Sequence, residues 1–153
     1  MKFVSGSLRK HIAERLLLFI AEDRSNGSSI GKNKSFVRSL RNAIKGIALT
    51  FLSERNFRFE LTVAVLACVL GFIFRISTTE WALVVTNIFY VLSLEVKNTS
   101  LELTVDMVTR EYHYNAKGSK DAASGAVLLA AMSSLCTAGL VFVPKVLALI
   151  GQH

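Results

Sequence analysis

The 153-residue chain is poor in the residues that build most compact catalytic and metal centres: it has two cysteines, three histidines and one proline. Cys68 and Cys136 both lie inside apolar runs, allow at most one bridge and have no CxxC or CxxH neighbour. That leaves no visible structural zinc motif, and small buried hydrophobes are the plain reading. No HExxH pattern exists. Charge is also sparse, at 19 % of residues against 52 % hydrophobic, which excludes intrinsic disorder because there is ample apolar surface to bury. The scarcer sign is negative, with 11 Asp and Glu against 18 Lys and Arg, a net charge of +7. No internal repeat is visible. Gly27–Asn33 (GSSIGKN) falls short of a phosphate-binding loop, with three residues between its glycines, Asn33 after the lysine, and no strand before it.

What is present is long and apolar. Phe59–Ile76, Trp81–Val96 and Ala122–Ile150 form three hydrophobic runs. A spanning helix needs ~20 mostly apolar residues. The first and third runs qualify directly, and the second does so if its helix continues past Val96. A soluble bundle of buried helices would need polar faces. Ala122–Val143 contains no charge at all, and its Gly, Ala, Ser and Thr residues suit close helix contacts in lipid. The expected fold is therefore all-α and integral to a membrane, with three transmembrane helices.

The cations then sort by side. Twelve lie at or before Arg58, and Lys97, Arg110, Lys117 and Lys120 lie between the second and third runs, so 16 of 18 fall on one face. Arg75 and Lys145 remain for the other. The positive-inside rule places the N-terminus and the 97–121 loop in the cytoplasm, with the 77–80 connection and the C-terminus outside. The basic excess is explained without nucleic acid.

The N-terminal region does not read as a cleaved signal, because Leu16–Ile20 is too short an apolar core and no small-residue cleavage site follows. It shows two amphipathic stretches instead. Leu8, Ile12, Leu16, Phe19 and Ile20 share one helical face, and Asp23–Lys34 reads as a flexible linker. From Phe36 to Phe51, Phe36, Leu40, Ala43, Ile44, Ile47, Ala48 and Phe51 form a second face, opposite Lys34, Arg38, Arg41 and Lys45. Such a basic helix lies in the membrane interface or packs on a partner subunit. The expected organisation is an extension over 1–34 and a membrane domain over 35–151. That domain comprises an interfacial helix at about 36–52 and spans at about 58–76, 81–108 and 122–150.

The minority acids are the most informative charges. Glu95, Asn98, Glu102 and Asp106 stand at i, i+3, i+7 and i+11, which confines them to roughly 80° of arc on one helix. Acids at membrane depth are costly and usually functional. Like charges one or two turns apart repel, so a cation such as Mg²⁺ with a phosphate ligand suits the stripe. Ser53–Arg58 at the mouth of the first run and Lys120-Asp121 at the mouth of the third stand at the same membrane level. Carboxylates, a lysine for phosphate and a base for a hydroxyl form the inventory of metal-assisted phosphoryl transfer. The alternative reading is a small oligomeric transporter using the stripe as an ion path, but it predicts acids near mid-membrane with partners on the outer half. A non-catalytic scaffold is a third reading.

Three linked motifs carry a resemblance. Glu54-Arg55-Asn56-Phe57-Arg58, then Glu95-x-x-Asn98-Thr99-Ser100-Leu101-Glu102-x-x-x-Asp106, then Lys120-Asp121-Ala122-Ala123-x-Gly125-Ala126-Val127-Leu128 resemble the bacterial integral-membrane diacylglycerol kinase family, which includes undecaprenol kinases. The likeness covers about Phe36 to Val143. It implies a homotrimer in the bacterial cytoplasmic membrane that transfers the γ-phosphoryl group of MgATP to a lipid hydroxyl, with Mg²⁺ as cofactor. Residue by residue, Glu95 resembles the catalytic base, and Glu54 and Glu102 the metal-binding acids. Asn98, Asp106, Glu111, His113, Lys120 and Asp121 match positions near the nucleotide. Asn56, Phe57 and Arg58 lie where the family contacts lipid. Phe59-Glu60 departs from the family's usual His or Gln-Glu after the Phe-Arg pair, Thr99-Ser100-Leu101 from its usual Ser/Thr-Ala-Ile, and Gly118-Ser119 from what usually precedes Lys-Asp. None of these removes a chemical group. Diacylglycerol and undecaprenol both stay open as the lipid.

Overall fold

A computed structural model describes residues 36–109 and 111–151. The described residues form four α-helices: α1 (Phe36–Ser53), α2 (Arg55–Ile73), α3 (Thr78–Val108) and α4 (Tyr114–Ile150). The chain divides into two compact units, Met1–Arg55 and Asn56–His153. The expectations for the 8–20 stretch, the 23–34 linker and the 27–33 loop fall outside the described residues.

In the first unit, α1 exposes Phe36, Leu40, Ile44 and Ile47 along one side, at helical spacing. Thr50 is its one buried residue, and its hydroxyl donates to the Gly46 carbonyl at 3.2 Å. The ladder runs on to Glu54, whose N–H donates to the Thr50 carbonyl at 2.8 Å, before the chain turns into α2.

The second unit contains three helices apolar enough to cross a membrane, with mean hydropathies of 1.7, 1.2 and 2.2 in chain order. At ~1.5 Å per residue even α2 reaches close to the ~30 Å of a hydrocarbon core, and α3 and α4 exceed it. Large apolar side chains such as Phe72 (75 % exposed) and Leu140 (81 % exposed) point outward. Glu95, Asn98 and Thr99 are buried. This inverted arrangement is what a lipid solvent selects.

The helix ends differ from the hydropathy limits for identifiable reasons. α2 stops at Ile73 rather than Ile76 because Arg75 adopts a left-handed φ of 49° and the Ile76 N–H returns to the Gly71 carbonyl at 3.1 Å. That is a Schellman-type cap with arginine in the position glycine usually holds. α3 starts immediately afterwards on a capping box. The Glu80 N–H donates to the Ser77 hydroxyl at 3.3 Å, and the Ser77 N–H donates to the Glu80 carboxylate at 2.6 Å. α4 begins at Tyr114 rather than near Ala122. Hydropathy marks only the part in lipid, whereas the helix runs on through polar residues supported by the Lys117–Asp121 pair one turn apart.

A small core at the α2–α3 turn joins the three helices. Ile76, Val84 and Val141 are buried, with Phe74, Trp81 and Phe142 packed on them. Phe72 and Trp81 meet at 4.9 Å between ring centroids. α3 and α4 pack against each other as the principal helix pair.

Candidate active site

The acidic stripe lies on α3 beyond its apolar half, and burial falls along it. Glu95 is 3 % exposed and Asn98 8 %, Glu102 is half-buried, and Asp106 is exposed. Thr99 is buried beside them, its hydroxyl donating to the Glu95 carbonyl at 3.0 Å. The stripe is thus graded from a desolvated carboxylate to a wet one, as suits a surface that meets lipid at one end and a water-borne molecule at the other.

α4 brings its own polar residues to this face. The Ser124 hydroxyl donates to Asn98 Oδ1 at 3.5 Å, and Asn98 Nδ2 donates to Glu102 Oε1 at 3.0 Å. The amide is held from one helix and orients a carboxylate of the other. Lys120 Nζ reaches Asp106 Oδ1 at 2.5 Å. The structure therefore brings Asn98, Glu102, Asp106 and Lys120 together, with Ser124 as a member that sequence reasoning missed. A serine in an Ala- and Gly-rich run carries no signal of its own until the opposite helix is known.

The other expected residues are placed more loosely. Asp121 pairs with Lys117 at 2.6 Å, both well exposed. His113 is the exposed N-cap of α4 and makes no side-chain cap. Glu111 is exposed, its N–H donating to the Thr109 hydroxyl at 3.2 Å. Asn56, Phe57 and Arg58 form the first turn of α2, with Phe57 buried, Arg58 half-buried and Asn56 exposed. Glu54 belongs to the first unit, follows α1 in the chain and is half-buried.

A cavity of about 230 Å³ opens among α2, α3 and α4. Its walls are apolar, from residues such as Val63, Val91 and Leu135, except for Glu60, Asn87, Ser134 and Thr137. Glu60 Oε2 is buried and has no hydrogen-bond partner among the described residues. An acid facing an apolar cavity at membrane depth is a functional candidate, whereas in the sequence Glu60 stands out only in the Phe59-Glu60 departure from the family pattern. A charge inside a spanning segment was the signal that could have found it.

Among the described residues, no three His, Cys, Asp or Glu side chains gather into a group that could hold a metal by themselves. The donors present nevertheless suit Mg²⁺, which keeps several waters and takes one or two carboxylates plus substrate phosphates. Glu102 offers an oxygen outside its bond to Asn98.

Comparison with known proteins shows the family. The family described as prokaryotic diacylglycerol kinase matches residues 41–142. The chain belongs to the prokaryotic diacylglycerol kinase family. It is 40 % identical over 110 residues to the undecaprenol kinase of Bacillus subtilis, covering 72 % of this chain and 89 % of the relative. It is 33 % identical over 128 residues to a diacylglycerol kinase of Synechocystis, covering 83 % of this chain and 72 % of the relative. The diacylglycerol kinase of Escherichia coli is 29 % identical over 93 residues, 61 % of this chain and 76 % of the relative. Family membership makes the chain a lipid kinase with membrane helices. The transporter reading draws no support from these relatives.

Proposed function

We propose that this diacylglycerol kinase family member transfers the γ-phosphoryl group of MgATP to a lipid hydroxyl at the cytoplasmic mouth of its spanning helices. The observation that carries the reading is the buried Glu95 on the same face of α3 as Asn98 and Glu102, where α4 presents Lys120 and Ser124. Glu95 takes the proton of the lipid hydroxyl as its oxygen bonds to the γ-phosphorus. The bond from that phosphorus to the β–γ bridging oxygen breaks, and ADP leaves with the electron pair. Lys120 offsets charge developing on the phosphoryl oxygens. Asn98 holds Glu102 in one orientation. Mg²⁺, when bound to Glu102, supplies charge neutralisation on the nucleotide phosphates, and the family resemblance assigns Glu54 the same duty. Asp106, Glu111, His113 and Asp121 stand on the nucleotide side. Asn56, Phe57 and Arg58 stand on the lipid side, and the cavity headed by Glu60 suits an apolar chain.

The same reading makes the protein a homotrimer in the bacterial cytoplasmic membrane, with its N-terminus inside and α1 lying in the interface. Of the two lipids, undecaprenol is favoured, because the relative at 40 % identity bears that name. Purified protein in micelles, given labelled ATP, Mg²⁺ and each lipid side by side, tests both points. Transfer to undecaprenol should exceed transfer to diacylglycerol, and Glu95→Gln should lower turnover by about 10²-fold or more. Near-full activity in Glu95→Gln would show that another group is the base.

A further inference from the structure

α3 and α4 meet chiefly through apolar side chains, and apolar contact is non-directional, so it fixes how far one helix slides along the other less sharply than hydrogen bonds do. Among the described residues, directional contacts between them include four levels. Glu80 meets Lys145 at 3.1 Å, Asn87 meets Ser133 and Thr137, Asn98 meets Ser124, and Asp106 meets Lys120. The partners run in opposite order along the two chains, so all four levels agree on one antiparallel register.

These levels are unequal. The Asp106 and Lys120 side chains are 54 % and 33 % exposed, Glu80 and Lys145 are each 27 % exposed, and the Ser124–Asn98 bond is long at 3.5 Å. The two ion pairs stand toward helix ends, where water can substitute for a lost partner, and the buried Asn98 is held from α4 by that single long bond. Asn87 lies within the spanning part of α3, where water cannot substitute. Its Nδ2 donates to Thr137 Oγ1 at 3.2 Å and to the Leu83 carbonyl of its own helix at 3.0 Å. Its Oδ1 accepts from the Ser133 hydroxyl at 3.2 Å. One amide therefore grips two α4 side chains a helical turn apart, and a slide of one residue, ~1.5 Å, breaks both contacts. α3 has no glycine or proline between Thr78 and Val108, so axial placement at Asn87 carries to Glu95, Asn98 and Glu102 as through a rigid rod.

We infer that Asn87 is a positioning residue: its forked bond to Ser133 and Thr137 sets the register in which the α3 acids face Lys120 and Ser124 of α4. The kinetic half of the test rests on the phosphotransfer reading, whereas the geometric half does not.

The geometric half uses chains lacking the native thiols (Cys68→Ala, Cys136→Ala) and carrying Asp106→Cys with a second cysteine from Lys117→Cys, Lys120→Cys or Ser124→Cys. With Asn87 present, the 106–120 pair should cross-link well ahead of the other two. With Asn87→Leu, an apolar replacement of similar size that lipid tolerates, cross-linking at 117 or 124 should rise toward that at 120. In the otherwise unaltered enzyme, Asn87→Leu should lower kcat about tenfold, with KM for ATP and lipid little changed and the thermal midpoint in detergent retained. The exchange Asn87→Thr with Thr137→Asn restores an amide across the same contact and should recover most of the lost kcat. An unchanged cross-link profile, or an unchanged kcat in an enzyme active before substitution, overturns the inference. An unsubstituted enzyme that transfers no phosphoryl group to lipid would instead defeat the functional reading, and the cross-links would still decide the register.

Discussion

Asn98 has both ends of its amide engaged, accepting from Ser124 and donating to Glu102. Asn98→Ala removes both contacts at a site already largely dry. Its structural cost should be about 1 kcal/mol, whereas turnover should fall at least about tenfold because Glu102 loses its orientation. Thermal denaturation and initial rates on the same preparation separate the two. Lys120 allows a sharper separation. Its pair with Asp106 is partly exposed, and such pairs contribute about 1 kcal/mol or less, so Lys120→Met should move the thermal midpoint little. If Lys120 offsets phosphoryl charge, the same change should cut turnover by about 10²-fold or more. The stripe itself was legible in the sequence, since residues 95, 98, 102 and 106 share a helical face whatever they pack against. Ser124, Asn87 and Glu60 were not singled out, because a side chain's partner on another helix is not a local property.

The α2–α3 connection concentrates the tightest packing, and element ends are decided there. A Cβ built on Gly71 would stand 2.8 Å from the Trp81 ring, closer than a real methyl can approach. Gly71→Ala should therefore destabilise the unit by about 1–3 kcal/mol, as other overpacked cores do. Arg75 holds a left-handed backbone that costs an L-residue roughly 1–2 kcal/mol. Arg75→Gly should raise the thermal midpoint, and a fall would mean that the arginine side chain contributes more than its backbone strain removes. Hydropathy located the three helices and the ends of α3 at Val108 and α4 at Ile150, but not the end of α2 or the start of α4, since it records where lipid begins rather than where hydrogen bonding stops. Ser77 three residues before Glu80 was a cap signal that a reading centred on apolar runs passed over.

At the scale of the whole molecule, the charge balance makes the clearest prediction. With 16 of 18 cations placed by the proposed topology on one side, the 77–80 connection should face outward and the 109–113 segment inward. In a chain with Cys68→Ala and Cys136→Ala, a membrane-impermeant maleimide applied to intact cells should label Thr79→Cys and spare Tyr112→Cys. The reverse pattern would invert the topology and place the acidic stripe away from cellular ATP. The proposed homotrimer is checked by the mass of the purified protein in detergent.

The sequence by itself determined that the described residues are helical, that three of the helices are apolar enough to span a membrane, and that three of its eleven acids share one helix face. Each of these follows from properties read along the chain: hydropathy over a span length, and a 3.6-residue period. Three linked motifs added the family. Only the tertiary structure decided which polar groups meet, that Ser124 holds Asn98, that Glu60 heads a cavity, and that Asn87 bridges two turns of α4. Those pairings depend on register between helices, which apolar side chains in lipid specify only loosely. A few hydrogen bonds fix it, and they become visible only once the helices lie side by side.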